Sequence, residues 1–208
     1  MKSDGARPDG GRTRIITVSA SSKKAGKSTV AAHLVRELGA DYGLKVSSGG
    51  SLAGQPLTSD RDEISRHGTD TGALVEAGAG KVLWVNAEGE RLARELERAL
   101  SMFPRGGLLV LEGNSALEYV EPDFAIFVMS VPFDEFKPSA ALALEKSDLV
   151  LVNRAGKLGS LEKAGLERSL RERAPGAEVM FFDERDASLG EILDEAVRLV
   201  SERLARCD

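Results

Sequence analysis

The sequence predicts an α/β protein with a doubly wound, mostly parallel sheet of about seven strands and helices on both faces. Short apolar segments alternate with amphipathic segments along most of the chain, which is the order that parallel strands with crossover helices produce. Several apolar segments, such as 108–111, are apolar at every position rather than at alternate ones. Strands that are covered by helices on both faces have this pattern.

The predicted elements follow in a regular order. A first strand at 15–18 leads through a loop at 20–25 into a helix over 28–38. Further strands are predicted at 44–48, 81–86, 108–113, 124–129, 149–153 and 178–182. Further helices are predicted at 67–79, 88–103, 137–147, 159–173 and 188–206, and Asp70 or Thr71 could cap the first of these.

Two segments lack such periodicity. Residues 1–12 are rich in glycine, and we expect them to form a flexible tail before a single domain at 13–208. Residues 49–66 are polar and glycine-rich, which predicts an unusually long loop. It either orders when a ligand binds or is simply disordered.

The loop between the first strand and the first helix has the composition of a phosphate-binding loop. Gly26-Lys27-Ser28 follows a strand directly and opens a helix, so backbone N–H groups and the helix dipole converge where an anion is favoured. Lys27 can reach the β- and γ-phosphates, and the Ser28 hydroxyl can ligate Mg²⁺. The candidate binding residues of this loop are Ser22, Lys23, Lys24, Ala25, Gly26, Lys27, Ser28 and Thr29.

One position departs from the Walker A pattern G-x-x-x-x-G-K-[ST], because Ser21 stands where the first glycine is expected. Either the turn differs locally or Ser21 is strained. Lys23 and Lys24 either contact phosphate or are only solvated. The alternative for the whole segment is a lysine-rich loop before an ordinary amphipathic helix.

Glu112 is the candidate acid of the site. It ends an apolar strand just before Gly113, where an acid commonly holds Mg²⁺ or its water. We therefore predict Ser28 and Glu112 as metal ligands, and Lys27 and Glu112 as catalytic residues. Glu112 could instead orient water or a substrate group, or cap a helix that starts near Asn114.

Asn153 and Arg154 end another strand and are the candidate base-binding residues. An asparagine amide can pair with adenine or with the O6/N7 edge of guanine. The position three residues after Asn153, where guanine-binding proteins of the NKxD type carry an aspartate, holds Gly156. This favours ATP over GTP, unless a carboxylate from Asp183 or Glu184 takes that role. Asn153 could also be an ordinary turn residue.

Composition excludes several classes. A net charge of −5 at pH 7 gives no electrostatic reason to expect nucleic-acid binding. Cys207 is the single cysteine, so neither a disulfide framework nor a Cys-x-x-Cys zinc site can form. No apolar run is long enough for a transmembrane helix, and residues 1–14 do not resemble a secretory signal. We expect a cytoplasmic protein without a membrane partner.

Three segments together carry a family resemblance. Gly26-Lys27-Ser28 after a strand, Asp70-Thr71 with 76–79, and 109–113 resemble the molybdopterin-guanine dinucleotide biosynthesis protein B group of P-loop proteins. The second half of the chain is similar to the wider class that contains dethiobiotin synthetase and the MinD-type ATPases. The resemblance implies a P-loop nucleoside triphosphate hydrolase fold, a site for a mononucleotide with Mg²⁺, and a homodimer. It also implies a role in molybdenum cofactor biosynthesis.

The chain departs from these groups at three positions. Ser21 replaces a glycine, Ser22 replaces the lysine of MinD-type loops, and Asn114 stands where the group tends to have an aromatic residue. Three functions stay open: an adaptor that hydrolyses nucleotide while it handles a partner protein or cofactor, a small-molecule kinase or ATP-dependent ligase, and a protein that binds nucleotide without turnover. In the second case, the unknown small-molecule acceptor would lie between 49–72 and 112–117.

Overall fold

The computed structural model describes residues 11–48, 55–132, 135–154, 156, 158–183 and 188–206. Eight strands in these residues form one sheet: β1 (Arg14–Ala20), β2 (Tyr42–Ser47), β3 (Leu57–Thr58), β4 (Lys81–Asn86), β5 (Leu108–Glu112), β6 (Phe124–Ser130), β7 (Leu149–Asn153) and β8 (Glu178–Phe181). Their order across the sheet is β3-β4-β2-β5-β1-β6-β7-β8.

The sheet is parallel except at one edge. Every pairing among the seven longer strands is parallel, whereas β3 pairs with β4 in the antiparallel direction. The prediction of a mostly parallel sheet is therefore confirmed, and all seven predicted strands are present. The two-residue strand β3 was not predicted.

Helices lie between most of the strands. They are α1 (Lys27–Leu38), α2 (Arg61–Ile64), α3 (Asp70–Glu76), α4 (Gly89–Ser101), α5 (Pro138–Glu145), α6 (Ser160–Arg173) and α7 (Ser188–Ala205), with a 3₁₀ turn at Ser115–Glu118. Within the described ranges, no helix has the length and apolar character that crossing a membrane would require.

Helices cover both faces of the sheet, as its apolar strands predict. Successive side chains of a strand point to opposite faces, and those of β5 enter two different cores. Val110 packs in one core with Leu34 of α1, while Leu111 packs in another with Leu92 of α4. Phe127 of β6 belongs to a third core that includes α5 residues. The doubly wound architecture is thus built by strands that are buried on both sides.

The carboxyl ends of the central strands meet at one edge of the sheet, because β5, β1, β6 and β7 all run in the same direction. The phosphate loop follows β1 at this edge, Glu112 ends β5, and Asn153 ends β7. The three segments that the sequence singles out as candidate binding residues therefore lie at one edge of the sheet.

The prediction of a structureless loop over 49–66 is wrong for the described part of that segment. Residues 49–54 lie outside the described residues, but β3 and α2 lie within 55–66. The Asp60 side chain caps α2 by accepting hydrogen bonds from the backbone N–H groups of Asp62 and Glu63, both at 3.0 Å. A polar sequence without sustained periodicity hides such short elements, since a four-residue helix is fixed by its cap rather than by an apolar stripe.

The predicted cap of α3 is also corrected. Thr69 is the N-cap residue, and its hydroxyl accepts a hydrogen bond from the Gly72 N–H at 3.1 Å. Asp70 is the first residue of the helix, and its carboxylate is turned to the partners described below. The predicted tail at 1–12 lies outside the described residues except for Gly11 and Arg12, and Arg12 pairs with Asp123 at 3.0 Å.

Candidate nucleotide-binding site

The loop between β1 and α1 leaves the start of α1 without a side-chain cap. Gly26 is the N-cap residue, with φ of 110°, and within the described residues no side-chain hydrogen bond caps the helix. The first N–H groups of a helix lack intrahelical partners, so they are available to an anion. Ala25, which also belongs to the loop, is buried.

The other loop positions differ in exposure. The side chains of Ser22, Lys23, Lys24 and Thr29 are exposed, and Lys27 and Ser28 are half-buried. The loop thus offers two lysines to solvent and turns the third, Lys27, inward.

Of the two alternatives for Ser21, a local difference in the turn is the one observed, and Ser21 is not in a left-handed conformation. Lys24 and Arg154 are the non-glycine residues with positive φ in the described ranges, at 65° and 61°. The left-handed turn therefore falls on Lys24 and Gly26, while the Ser21 N–H donates to the carbonyl of Val128 at 3.0 Å. The turn is displaced along the loop, which explains why serine is tolerated at position 21.

Two asparagines hold the two ends of this loop. The Asn114 side chain bonds Ala20 at both groups: its oxygen accepts from the N–H at 2.9 Å and its nitrogen donates to the carbonyl at 2.8 Å. Asn153 is fully buried, and its side-chain nitrogen donates to the carbonyl of Ala25 at 3.1 Å. Segments far apart in sequence thereby fix where the loop begins and ends.

Five side chains at the start of α1 form a charged cluster: Lys27, Ser28, Lys45, Asp70 and Glu112. Glu112 Oε1 lies 3.2 Å from Lys27 Nζ and accepts from Lys45 Nζ at 2.5 Å. Lys45 also donates to Asp70 Oδ2, and the Ser28 hydroxyl donates to Asp70 Oδ1 at 2.6 Å. Four separate elements thus converge on this point.

Backbone geometry brings two of these side chains together. Lys45 of β2 and Glu112 of β5 are register partners in neighbouring strands. Gly113 follows with φ of 149°, and a Cβ at this position would lie 2.3 Å from the carbonyl oxygen of Val46. Only glycine allows the chain to turn this close to β2, so the Glu112-Gly113 pair has a steric cause.

The two carboxylate oxygens of Glu112 are in opposite situations. Oε1 is shared by Lys27 and Lys45, and Ser28 Oγ lies 3.3 Å away. Oε2 is buried and has no hydrogen-bond partner among the described residues, and Glu112 as a whole is 0% exposed. A buried charged oxygen without a partner is costly. Oε2 is thus the oxygen of this side chain whose hydrogen-bonding capacity the described residues leave unused.

Three groups of the cluster have shifted pKa values, and in Lys45 and Asp70 the shift favours the charged form. Burial acts to lower the pKa of Lys45, but the charge of Glu112 and hydrogen bonds to Asp70 and Glu112 outweigh it, so the pKa is raised. Burial acts to raise the pKa of Asp70, and hydrogen bonds from Lys45 and Ser28 outweigh it, so that pKa is lowered. Burial lowers the pKa of Lys27, against the opposing charge of Glu112.

A second group consists of Asn153, Arg154, Gly156 and Asp183, and we name it the base side after the role that the sequence predicts for Asn153 and Arg154. Asn153 Oδ1 accepts from the Arg154 N–H at 2.7 Å. Gly156 lies beside Asp183, whose Oδ2 is 3.1 Å from the position that a Cβ of residue 156 would take. The carboxylate of Asp183 therefore occupies space next to the position where an NKxD-type aspartate would stand. Glu184, the other candidate carboxylate, lies outside the described residues.

No protein-family model matches the sequence, and no curated protein matches it. Solved structures do match. Hydrogenase maturation factor HypB from Archaeoglobus fulgidus aligns with a TM-score of 0.52 and 14% identity over 92% of this chain and 91% of that chain. HypB from Helicobacter pylori in complex with nickel aligns with a TM-score of 0.52 and 15% identity over 93% and 89%. The chain has the fold of P-loop nucleoside triphosphatases. At this level of identity, the likeness concerns the fold alone.

The side chains of this P-loop fold suit Mg²⁺. A serine hydroxyl and two carboxylates are the hard oxygen ligands that Mg²⁺ prefers. Ser28 Oγ lies 2.6 Å from Asp70 Oδ1 and 3.3 Å from Glu112 Oε1, so the three oxygen-bearing side chains are adjacent. The described residues contain no group of three or more His, Cys, Asp or Glu that could hold a metal, so a metal here would need further ligands from a nucleotide or water.

Sequence reasoning missed three residues of the site. Asp70 is predicted only as a possible cap of the helix at 67–79 and as part of the family resemblance, not as a member of the cluster that it joins through Lys45 and Ser28. Lys45 was recognised only as part of the second strand, although a lysine inside the buried strand of a parallel sheet is itself a signal, because such a charge requires a partner. Asn114 was noted only as a departure from the resembling group. Its contact with Ala20 spans 94 residues of sequence, and no local pattern predicts it.

Proposed function

We propose that the protein binds a purine nucleoside triphosphate together with Mg²⁺ at the loop before α1. The observation that carries this proposal is the convergence of Lys27, Ser28 and Glu112 at the uncapped start of that helix, beside the buried and unpartnered Oε2 of Glu112. Helix N-termini with free N–H groups bind phosphates. A carboxylate oxygen that lacks a protein partner gains one when a metal ion or its water arrives.

Each residue has a distinct role in this proposal. The N–H groups from Ala25 to Thr29 surround the phosphates, with Ser22, Lys23 and Lys24 at the outer side of the loop. Lys27 contacts the β- and γ-phosphates, and Ser28 and Glu112 hold the metal. Bound Mg²⁺ supplies charge neutralisation at the phosphates, while Asn153 and Arg154 line the base side.

We propose further that the protein hydrolyses the nucleotide as an adaptor in cofactor biosynthesis and acts as a homodimer. The support is the resemblance of its first half to the molybdopterin-guanine dinucleotide biosynthesis protein B group. Lys27 suits the stabilisation of the negative charge that develops during phosphoryl transfer, and the Glu112 carboxylate beside it suits a metal ion or an attacking water. Molybdenum cofactor biosynthesis is the pathway that this resemblance favours.

A second candidate is a small-molecule kinase or ATP-dependent ligase of the dethiobiotin synthetase type. The observation that favours it is Lys45, a second lysine that is only 8% exposed and lies close to the phosphate loop. Simple hydrolysis by water needs no such group, whereas a lysine can hold an anionic acceptor beside the γ-phosphate. Asp70, which it contacts, would then face the acceptor.

ATP is the nucleotide we propose on the base side, because Gly156 has no side-chain carboxylate to accept from the N1–H and N2–H₂ groups of guanine. Guanine would leave its N1–H and N2–H₂ donors unpaired, at a cost of about 1–3 kcal/mol each. Asp183 is the residue that would reverse this preference if its carboxylate faced the base.

Measuring nucleotide binding and product release by the purified protein, with ATP or GTP and Mg²⁺, distinguishes these functions. Binding followed by slow phosphate release without any acceptor supports the adaptor. ADP release that depends on a small-molecule acceptor supports the kinase or ligase, and binding without release supports a regulatory nucleotide. Absence of binding to either triphosphate at millimolar concentration contradicts the proposal. Sedimentation with and without nucleotide tests the homodimer.

A further inference from the structure

The Lys45 ammonium occupies the space between the two carboxylates of the charged cluster. It donates to Asp70 Oδ2 and, at 2.5 Å, to Glu112 Oε1. Ser28 Oγ contacts the same two side chains. A cation bound by Ser28, Asp70 and Glu112 would therefore share Asp70 Oδ2 or Glu112 Oε1 with Lys45, or would bind Glu112 Oε2 on the carboxylate whose other oxygen the ammonium holds.

We propose that Lys45 is the resident cation of this site, which keeps divalent metal ions away from Asp70 and Glu112 until a nucleotide binds. The inference rests on the proposed function, since it concerns the metal that accompanies the nucleotide. It adds a residue that is not a metal ligand and not a member of the phosphate loop, and it assigns that residue control over when the metal enters.

Charge balance supports an ordered entry of metal. Lys27 and Lys45 carry two positive charges, and Asp70 and Glu112 carry two negative charges, so the cluster is neutral as it stands. A neutral cluster attracts Mg²⁺ weakly, and a divalent ion next to the Lys45 ammonium would be repelled. A triphosphate changes this balance, because it brings several negative charges to the same place.

The side chain can yield the space without a change of fold. Lys45 is anchored in β2 by the register with β5, but a lysine has a flexible four-carbon stem and a compact charge that can be redirected. Phosphate oxygens above the loop would offer the ammonium new partners. The Lys45 ammonium therefore stays on the two carboxylates when no nucleotide is bound, and it can move to phosphate oxygens when a nucleotide binds.

Binding of Mn²⁺ to the nucleotide-free protein tests this inference. The free Mn²⁺ signal in electron paramagnetic resonance falls when the ion binds. Without nucleotide, we expect equimolar wild-type protein to leave the free Mn²⁺ signal unchanged. When ATP is added, the signal should fall further than it does with the same amount of ATP in the absence of protein. Lys45→Met should bind Mn²⁺ at least tenfold more tightly than wild type without nucleotide, because it leaves a net negative cluster. Lys45→Gln repeats the test if the methionine variant does not fold.

Lys81→Met is the matched control, since Lys81 is a half-buried strand lysine that bonds the carbonyl of Met102 away from the cluster. It should bind no more Mn²⁺ than wild type. Equal Mn²⁺ affinity of wild type and both Lys45 variants in the absence of nucleotide would overturn the inference. If wild type binds ATP but takes up no Mn²⁺ with it, the metal site itself is absent and this inference falls with it. If wild type binds no ATP, the proposed function has failed, and the Lys45 variants alone then decide whether Lys45 excludes the metal.

Discussion

The charged cluster and the base side lie at the same edge of the sheet but are built differently. The cluster consists of side chains whose charges are paired with one another. On the base side, the Asn153 amide holds the carbonyl of Ala25 and the N–H of Arg154, and the carboxylate of Asp183 lies beside Gly156. One region is organised by charge, and the other is organised by backbone contacts.

This difference determines what each region can specify. Paired charges favour a charged ligand strongly and act on any triphosphate, whatever its base. Backbone-bound amides position the loop and discriminate between bases only through the few donors and acceptors that face the ligand. We therefore expect substitutions in the charged cluster to have large effects and substitutions on the base side to change selectivity more than affinity.

Glu112→Gln should have the largest effect. Glu112 faces both Lys27 and Lys45 while fully buried, and removing one partner of a buried ion pair costs about 3 kcal/mol. We expect urea unfolding to show a loss of this size. Nucleotide turnover, if wild type shows it, should fall on the order of a hundredfold.

The matched control is Glu118→Gln, which makes the same change at an exposed position in the 3₁₀ turn that follows. It should alter neither stability nor turnover. If Glu112→Gln is as stable and as active as this control, the cluster does not depend on charge, and the contrast between the two regions disappears.

Lys27→Ala should come next, because it removes the one cluster lysine that belongs to the phosphate loop. A charge-assisted hydrogen bond contributes about 1.5–3 kcal/mol, so affinity for a triphosphate should fall about tenfold to a hundredfold. Titration calorimetry with ATP and Mg²⁺ measures this. Lys146→Ala serves as control, since Lys146 pairs with Glu121 away from the loop. Identical affinities for all three proteins would exclude Lys27 from phosphate binding.

The fold could be predicted from the sequence, and so could the sheet edge that carries the site, because each rests on short-range patterns. A uniformly apolar strand such as 108–111 and the order strand, loop, Gly26-Lys27-Ser28, helix are local signals. They predict which segments meet at the carboxyl ends of the strands. They do not predict which side chains then touch.

The remaining features depend on contacts between distant segments. Lys45 meets Glu112 only because β2 and β5 are neighbours in the sheet. In sequence, β3 and β4 lie between these two strands. Similarly, β3 and α2 are too short to leave a periodic pattern. Selectivity for the base is the least predictable property, since it depends on how Asp183 stands relative to Gly156.

Competition between ATP and GTP sharpens the comparison on the base side. With Gly156 in place of an aspartate, we expect ATP to displace a bound fluorescent ATP analogue at a roughly ten- to hundredfold lower concentration than GTP, because guanine leaves its N1–H and N2–H₂ donors unpaired. Asp183→Asn should then leave the ratio unchanged. Displacement by GTP at equal or lower concentration, with the preference lost in Asp183→Asn, would show that Asp183 accepts from guanine.

Asn114→Ala should have the smallest of these effects and test whether the loop is held by backbone contacts as well as by charge. The substitution removes two neutral hydrogen bonds to Ala20, at 2.9 and 2.8 Å, which contribute about 1 kcal/mol in net terms. We expect urea unfolding to show a loss near this size and triphosphate affinity to fall by less than the Lys27→Ala value. Ser115→Ala, one residue further along, is the control for a change in the same turn and should leave both quantities at wild-type values. If Asn114→Ala instead weakens triphosphate binding as much as Lys27→Ala does, then the geometry of the loop, rather than the charge of the cluster, limits binding.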